Sequence, residues 1–277
     1  MRKMKKLSVL FLVIVLFSAC GEYQKVLNKG TTEQQYKMAT KLYEVEKYNK
    51  SIQLFEKVIP KYQRKPQMER IQFMVAESNY KTKNYDLASY YFNRFIGNYP
   101  NSSKIEEVSF LAAHSYYLAS PKSSLDQADT QKALAAFQNF IDKYPNSEKT
   151  KEANKFYDEL STRLEKKSFD NAKHYYKTEN YRAAIEALEV FLEDNFGTEF
   201  KEEALAYKFL ASYELGVKSI YSKKEKRLND AITAYNRFEK SFPKSGKLKE
   251  FESLLNGLNK ELTQQKEQQE KNRTNGL

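Results

Sequence analysis

Apolar side chains recur at helical spacing along most of the chain, and their arrangement repeats. In each copy a small residue is followed four positions later by a large apolar residue, and seven positions later by another. These three positions lie on one face of a helix. The small residues of the five copies are Ser51, Ala88, Ala133, Ala184 and Ala231. Patterns typical of strands are scarce, so the sequence predicts an all-α fold.

A second helix is predicted before each of these helices. In three copies an alanine lies twelve residues before the small residue, with an aromatic residue three positions earlier and a tyrosine four positions later. These alanines are Ala39, Ala76 and Ala172. In the third copy Ala113 fits the same pattern, but eight extra residues separate it from Ala133. In the fifth copy the small residue of the first helix is either Ala211 or Ser212. The repeating unit is therefore a helix–turn–helix pair.

The repeat has the spacing and composition of a tetratricopeptide (TPR) repeat. Successive copies are 37, 45, 51 and 47 residues apart. Proline follows three of the second helices, where it ends the helix because it disfavours helical geometry in the residue before it. The sequence thus predicts an α-solenoid of five TPR-like repeats. An unrelated helical bundle with the same periodicity remains the alternative.

The unequal spacing predicts where the repeats are interrupted. One long helix is expected from about Glu148 to Thr178, between repeats 3 and 4, because this segment keeps helical spacing and contains no Pro or Gly. Segments 119–130 and 218–229 are expected to lengthen the loops inside repeats 3 and 5. The predicted divisions are a signal peptide (1–19), a lipid-anchored linker (20–30), repeats 1–3 (31–146), the long helix with repeats 4–5 (147–255) and a disordered polar tail (256–277).

The first residues have the organisation of a secretory signal peptide. A cationic start, "MRKMKK", precedes an apolar run of eleven residues, which is too short to span a bilayer as a helix. "FSAC" then resembles a bacterial lipobox, and Cys20 is the only cysteine in the chain. We predict that Cys20 is lipidated; the alternative is an ordinary cleavage site that leaves a free thiol. The next residue is Gly21, not the Asp that retains many Gram-negative lipoproteins in the inner membrane. The sequence therefore favours the outer membrane.

Composition excludes several other functions. The 47 basic residues are interspersed with 36 acidic residues rather than collected in a block, which argues against nucleic-acid binding. His114 and His174 have no second His or Cys four positions on, so neither a metal site nor a general base is expected. No nucleophile or phosphate-binding motif occurs. The sequence therefore predicts a protein that is not an enzyme, with no cofactor other than the lipid on Cys20.

The order of these features resembles the BamD family, the TPR-containing lipoproteins of the outer-membrane β-barrel assembly (BAM) machinery. The resemblance rests on the lipobox, the five repeats, the long helix after the third, and the loop "PKSSLDQ". It implies a periplasm-facing adaptor whose C-terminal repeats dock on a BamA-like barrel protein. It also implies that the N-terminal repeats receive unfolded outer-membrane protein precursors through an aromatic-rich C-terminal signal.

First-helix aromatic residues are the candidates for that peptide-binding groove. They are Tyr36, Tyr43, Phe73, Tyr80 and Tyr117. The simpler interpretation is that each tyrosine ring is half-buried in the core, with its hydroxyl in water. Two other functions remain as alternatives: a general periplasmic TPR scaffold, and a glycan-binding outer-membrane lipoprotein. The latter is disfavoured because the chain has no Trp to stack on sugars, and no domain is left over to bind them.

Overall fold

The computed structural model of the protein describes residues 21–274, and within that range it consists of helices joined by turns and short loops, with no strand. The helices are α1 (residues 21–29), α2 (Thr32–Glu44), α3 (Tyr48–Tyr62), α4 (Gln67–Lys81), α5 (Tyr85–Asn98), α6 (Ile105–Ala119), α7 (Ala128–Lys143), α8 (Thr150–Lys177), α9 (Tyr181–Asp194), α10 (Lys201–Val217), α11 (Tyr221–Ser241) and α12 (Leu248–Thr274). Consecutive helices pair as five TPR-like repeats: α2 with α3, α4 with α5, α6 with α7, the last part of α8 with α9, and α10 with α11. The long helix α8 thus connects repeat 3 to repeat 4 and supplies the first helix of repeat 4. The predicted fold is confirmed.

The small residue of each second helix lies inside the packed core. All five of these residues have no solvent exposure, and the large residues four positions later are at most 2% exposed. In repeat 1 the Ser51 hydroxyl donates a hydrogen bond of 2.8 Å to the carbonyl oxygen of Ala39, joining the two helices directly. A small side chain at this position lets the neighbouring backbone approach, and the bulky residues on either side then fill the remaining space.

The turns within repeats 1, 2 and 4 share one backbone geometry. Glu46, Lys83 and Glu179 each adopt a left-handed conformation, with φ of 59°, 64° and 60°. The next residue in each case donates its N–H to a carbonyl of the preceding helix; in repeat 2, Asn84 N–H bonds to the Asn79 carbonyl at 2.9 Å. This is the Schellman arrangement that ends a helix. It reverses the chain in three residues and so brings the two helices together.

The chain divides into two compact units between Leu160 and Ser161, inside α8. Unit 1 contains α1 to α7 and the start of α8, where Ala153 and Leu160 are buried with Phe137 and Phe140 of repeat 3. Unit 2 contains the rest of α8 and α9 to α12. The sequence predicts that the whole of the long helix belongs with repeats 4 and 5, whereas its first part completes the core of unit 1.

The expectation of a linker at residues 20–30 is corrected, because residues 21–29 form α1 and pack on α3. Tyr23 is buried, and its hydroxyl donates to Gln53 Oε1 at 2.7 Å. Gln35 Nε2 donates to the carbonyl oxygens of Val26 and Leu27, which ties α2 to the end of α1. Apolar residues three to four positions apart give α1 a buried face. Cys20 and the predicted signal peptide lie outside the described residues.

The expectation of a disordered tail is also wrong, because α12 continues to Thr274. Leu258 has no solvent exposure, and Gln265 is 7% exposed. Gln265 Nε2 donates to the Tyr221 carbonyl at 3.1 Å, and Gln269 Nε2 donates to Glu225 Oε2 at 2.9 Å. Polar side chains of α12 therefore form hydrogen bonds with α11. The apolar face of this segment is weak, so the sequence of the segment alone does not predict that it packs there.

The segment 218–229 does not lengthen a loop, contrary to expectation. Residues 221–229 form the first turns of α11, and only residues 218–220 connect α10 to it. In the fifth repeat Phe209 of α10 has no solvent exposure and packs edge-on against Tyr235, with ring centroids 5.6 Å apart. Segment 119–130, by contrast, does contain a longer connection, between the end of α6 and the start of α7.

Within residues 21–274, no helix has both the length and the apolar character needed to cross a bilayer.

Candidate functional site

An open groove of about 580 Å³ lies on the first helices of unit 1. It is bordered by α4, α6 and the first turn of α8, and we call it the first-helix groove. Its lining residues are Glu77, Tyr80, Lys81, Ser103, Glu106, Glu107, Phe110, Leu111, His114, Lys149 and Glu152. All of these residues belong to first helices, to the first turn of α8, or to the turns that precede these helices.

Three tyrosine hydroxyls link the first helices of unit 1 to one another or to α8. The Tyr43 hydroxyl donates to the Glu77 carboxylate. The Tyr80 hydroxyl lies 2.6 Å from His114 Nδ1, and the Tyr117 hydroxyl donates to Glu159 Oε2 at 2.6 Å. Each bond reaches from one repeat to the following helix pair, or to α8. The tyrosines therefore stabilise the spacing between neighbouring first helices.

The rings of these tyrosines are half-buried, as the simpler interpretation of the sequence has it. Tyr80 packs against Phe92, and the His114 ring is stacked 5.7 Å from Tyr117. Burial, with the Glu77 carboxylate beside it, raises the pKa of Tyr43, and burial also raises the pKa of Tyr80. Burial lowers the pKa of His114. At neutral pH the aromatic part of the site is therefore uncharged.

Of these three tyrosines only Tyr80 lines the groove, whereas Tyr43 and Tyr117 contact lining residues. Tyr36 and Phe73 occupy a different position from all three. The Tyr36 ring stacks on Tyr62 at the end of α3, with centroids 5.1 Å apart. Phe73 is 7% exposed and packs edge-on against Phe95 of α5. Both lie nearly two turns before the tyrosine of their own helix, where the second helix of the repeat ends. They pack between helices, so the structure separates the five candidates into two sets.

Carboxylates outnumber cations around the groove. Glu77, Glu106, Glu107 and Glu152 face it, against Lys81 and Lys149. Part of this charge is compensated locally, since Lys149 Nζ lies 3.1 Å from Glu152 and Lys104 Nζ lies 3.2 Å from Glu107. Exposed pairs of this kind contribute little to stability, so they can rearrange when a ligand binds.

The hydrogen-bond partners of the tyrosines are not among the residues predicted from the sequence. Glu77 and His114 each directly follow the small alanine of their first helix, 34 residues after Tyr43 and Tyr80. That constant spacing is a signal that could have revealed them. Glu159 offers no such signal because the inserted residues of repeat 3 change the spacing. In residues 21–274 no group of three His, Cys, Asp or Glu side chains is arranged to hold a metal ion.

A family model described as YfiO, an outer membrane lipoprotein, matches residues 28–228. The chain belongs to the YfiO, or BamD, family of outer membrane lipoproteins. The matched segment runs from α1 into α11, so it includes the first-helix groove and most of both units. No curated protein matches the chain significantly.

Two solved structures of TPR proteins show a loose likeness to the chain. The complex of the TPR2AB domain of yeast Sti1 with pHSP90 has 13% sequence identity and a TM-score of 0.37, over 86% of this chain and 95% of that one. TTC0263, a TPR protein from Thermus thermophilus, has 14% identity and a TM-score of 0.30, over 81% of this chain and 99% of that one. Neither likeness is close enough to support a statement about function.

Proposed function

We propose that the protein is a periplasm-facing, lipid-anchored adaptor that helps fold and insert β-barrel proteins into the outer membrane. The family match over residues 28–228 carries this proposal. A solenoid of helical repeats supports it as well, because stacked repeats present extended surfaces suited to binding other proteins. In this proposal the adaptor acts through protein contacts and catalyses no reaction. The covalent lipid on Cys20 is the only non-protein group that it needs.

In this proposal the first-helix groove receives the aromatic-rich C-terminal segment of an unfolded precursor. Aromatic rings and hydrogen-bonding side chains line it together, a combination that suits an extended peptide with apolar side chains and free backbone groups. Tyr80 lines this groove, and Tyr43 and Tyr117 support it by contacting the lining residues Glu77 and His114. Tyr36 and Phe73 contribute indirectly, by packing the first helices against the second helices.

A BamA-like barrel protein is the second proposed partner, and it docks on repeats 4 and 5 in unit 2. The support is the family membership, together with the division of the chain inside α8. Recovery of a BamA-like protein with the native chain, after gentle solubilisation of the membrane, is the direct test. Recovery of other envelope proteins without a BamA-like barrel would favour the general periplasmic scaffold instead.

The groove proposal is tested with Tyr43→Ala and Tyr80→Ala in the full-length protein. Each should weaken binding of a labelled, aromatic-ended precursor peptide by about tenfold, as expected for loss of a buried aromatic contact, and should leave the BamA-like partner bound. Tyr90 is an exposed tyrosine on α5 outside the groove, and Tyr90→Ala is the matched control. Equal weakening by the control, or loss of the BamA-like partner, would contradict the proposed division.

The lipid anchor is tested with Cys20→Ser and a fatty-acid analogue supplied to growing cells. The native chain should carry the label and the Ser variant should not, because the thiol is the proposed attachment site. Label that persists on the Ser variant would place the anchor elsewhere. A single acyl chain holds a protein only marginally at a membrane, so more than one chain, or the partner complex, is expected to retain it.

A further inference from the structure

A second groove, of about 730 Å³, lies within unit 2 and differs from the first in charge. It is bordered by α9, α10 and α11, and we call it the basic groove. Six cationic side chains line it, against the two carboxylates of Glu186 and Asp230. The cations are Arg182, Lys208, Lys223, Lys226, Arg227 and Arg237. Ile185, Leu215 and Ala234 add apolar surface between them.

The basic side of this groove is built by the additional first turns of α11. In repeats 1, 2 and 4 the small residue is the fourth residue of the second helix, whereas Ala231 is the eleventh residue of α11. The extra turns carry Lys223, Lys226 and Arg227. Asp230, Ala234 and Arg237 continue from them at spacings of three and four residues, so all six side chains share one helix face. Lys224 faces away, because its Nζ pairs with Glu261 of α12 at 2.6 Å.

The cations of the groove are not all compensated. Glu189 neutralises two of them: it pairs with Lys208, and it accepts hydrogen bonds of 2.6 and 2.8 Å from Arg237. Arg182 pairs with Glu186, and Arg227 donates to the Ser219 hydroxyl at 2.9 Å. Lys223 and Lys226 are exposed and form no ion pair within residues 21–274. The groove therefore keeps a positive charge above an apolar floor.

We propose that the basic groove binds an acidic, amphipathic peptide segment of a partner protein. Its carboxylates would pair with Lys223, Lys226 and Arg227, and one or two aliphatic side chains would cover Ile185 and Leu215. A small inorganic anion needs no apolar floor of this kind. The proposal rests on the adaptor function only in taking a protein segment as the occupant. It does not depend on which partner supplies that segment.

The test uses the full-length protein in mild detergent and a fluorescent glutamate-rich peptide that carries leucines. Anisotropy should show binding that weakens as salt rises, because screening shortens the reach of surface charges to about 8 Å at physiological ionic strength. Replacing the peptide's Glu with Gln should abolish binding. Replacing its Leu with Ser should weaken binding, since the apolar floor then loses its contact.

Lys223→Glu with Lys226→Glu should weaken peptide binding by about tenfold or more, because two attractive charges become repulsive. Lys244→Glu with Lys249→Glu is the matched control: both lysines are exposed in unit 2 outside the groove, and the change in net charge is the same. The milder pair Lys223→Gln with Lys226→Gln should give a smaller loss, and it replaces the Glu pair if that variant unfolds by circular dichroism.

Equal losses in the groove pair and the control pair would overturn the proposal, because net charge alone would then explain binding. Failure of the acidic peptide to bind would also overturn it. If the chain instead binds vesicles of anionic lipid through Lys223 and Lys226 and ignores the peptide, the groove is a membrane contact. None of these results bears on recovery of a BamA-like protein from membranes, so failure here remains distinct from failure of the proposed function.

Discussion

Leu258 lies in the part of α12 that its own sequence predicts to be disordered, yet its side chain is fully buried in the apolar cluster of unit 2. We predict that Leu258→Ala destabilises this unit by about 3 kcal/mol. Three carbons leave the core, at about 0.8 kcal/mol each, and the cavity left behind adds to the loss, as in other buried Leu→Ala changes. Unit 2 is described over residues 161–274. For a domain of this size, the melting temperature should fall by about 10 °C.

The assay is differential scanning calorimetry of the full-length protein, with hydrogen exchange followed by mass spectrometry to locate the change. Exchange should accelerate in α10, α11 and α12 and stay unchanged in unit 1. Val190 is 55% exposed on α9. Val190→Ala is therefore the control, with an expected effect below about 0.5 kcal/mol. If Leu258→Ala leaves the melting curve and the exchange of α11 unchanged, then α12 does not pack as described and the reasoning fails.

Three further predictions concern other points of close packing or burial. Ala184→Leu should destabilise unit 2 by about 1–3 kcal/mol, because the residue is fully buried and a larger side chain overpacks the contact; an unchanged melting curve would mean that the repeat alignment is misplaced. Gly30→Ala should loosen α1, because an added Cβ would lie 2.5 Å from the Val26 carbonyl oxygen; slower or unchanged exchange in residues 21–29 would contradict this. Burial lowers the pKa of His114, so the unfolded chain binds more protons below about pH 6.5 and stability should fall as pH drops through that range. The difference in melting temperature between about pH 7.5 and 5.5 should shrink in His114→Gln, and an equal difference would show that other groups cause it.

The repeats could be predicted from the sequence because their core is local. Ala88, Phe92 and Phe95 are spaced so that any helix places them on one face, and a helix with such a face must bury it. The long helix followed in the same way from unbroken helical spacing, and the observed bounds, Thr150–Lys177, differ from the expected ones by one or two residues. Local periodicity thus determined both the fold class and the order of the helices.

The remaining features depend on neighbours that are distant in the sequence. Gln265 is polar, and nothing in its own segment shows that the Tyr221 carbonyl will accept its hydrogen bond. The Tyr43 hydroxyl was expected in water, but Glu77 of the next repeat binds it. The basic groove needs three helices to be assembled before its charge is apparent. Such polar contacts form between residues that the assembled fold brings together, and the apolar periodicity of a single helix does not show them. The candidate sites were therefore the least predictable part of the molecule.

The sharing of α8 between the two units has a consequence for the order in which the chain folds. A chain that emerges from its N-terminus cannot complete repeat 3 when α7 is finished, because Ala153 and Leu160 still have to arrive and cover Phe137 and Phe140. Domains generally fold as units during such emergence, with the N-terminal one first. Unit 1 should therefore gain protease resistance only after residues up to Leu160 are available. From that point the rest of α8, which belongs to unit 2, can extend a helix whose first part is already folded.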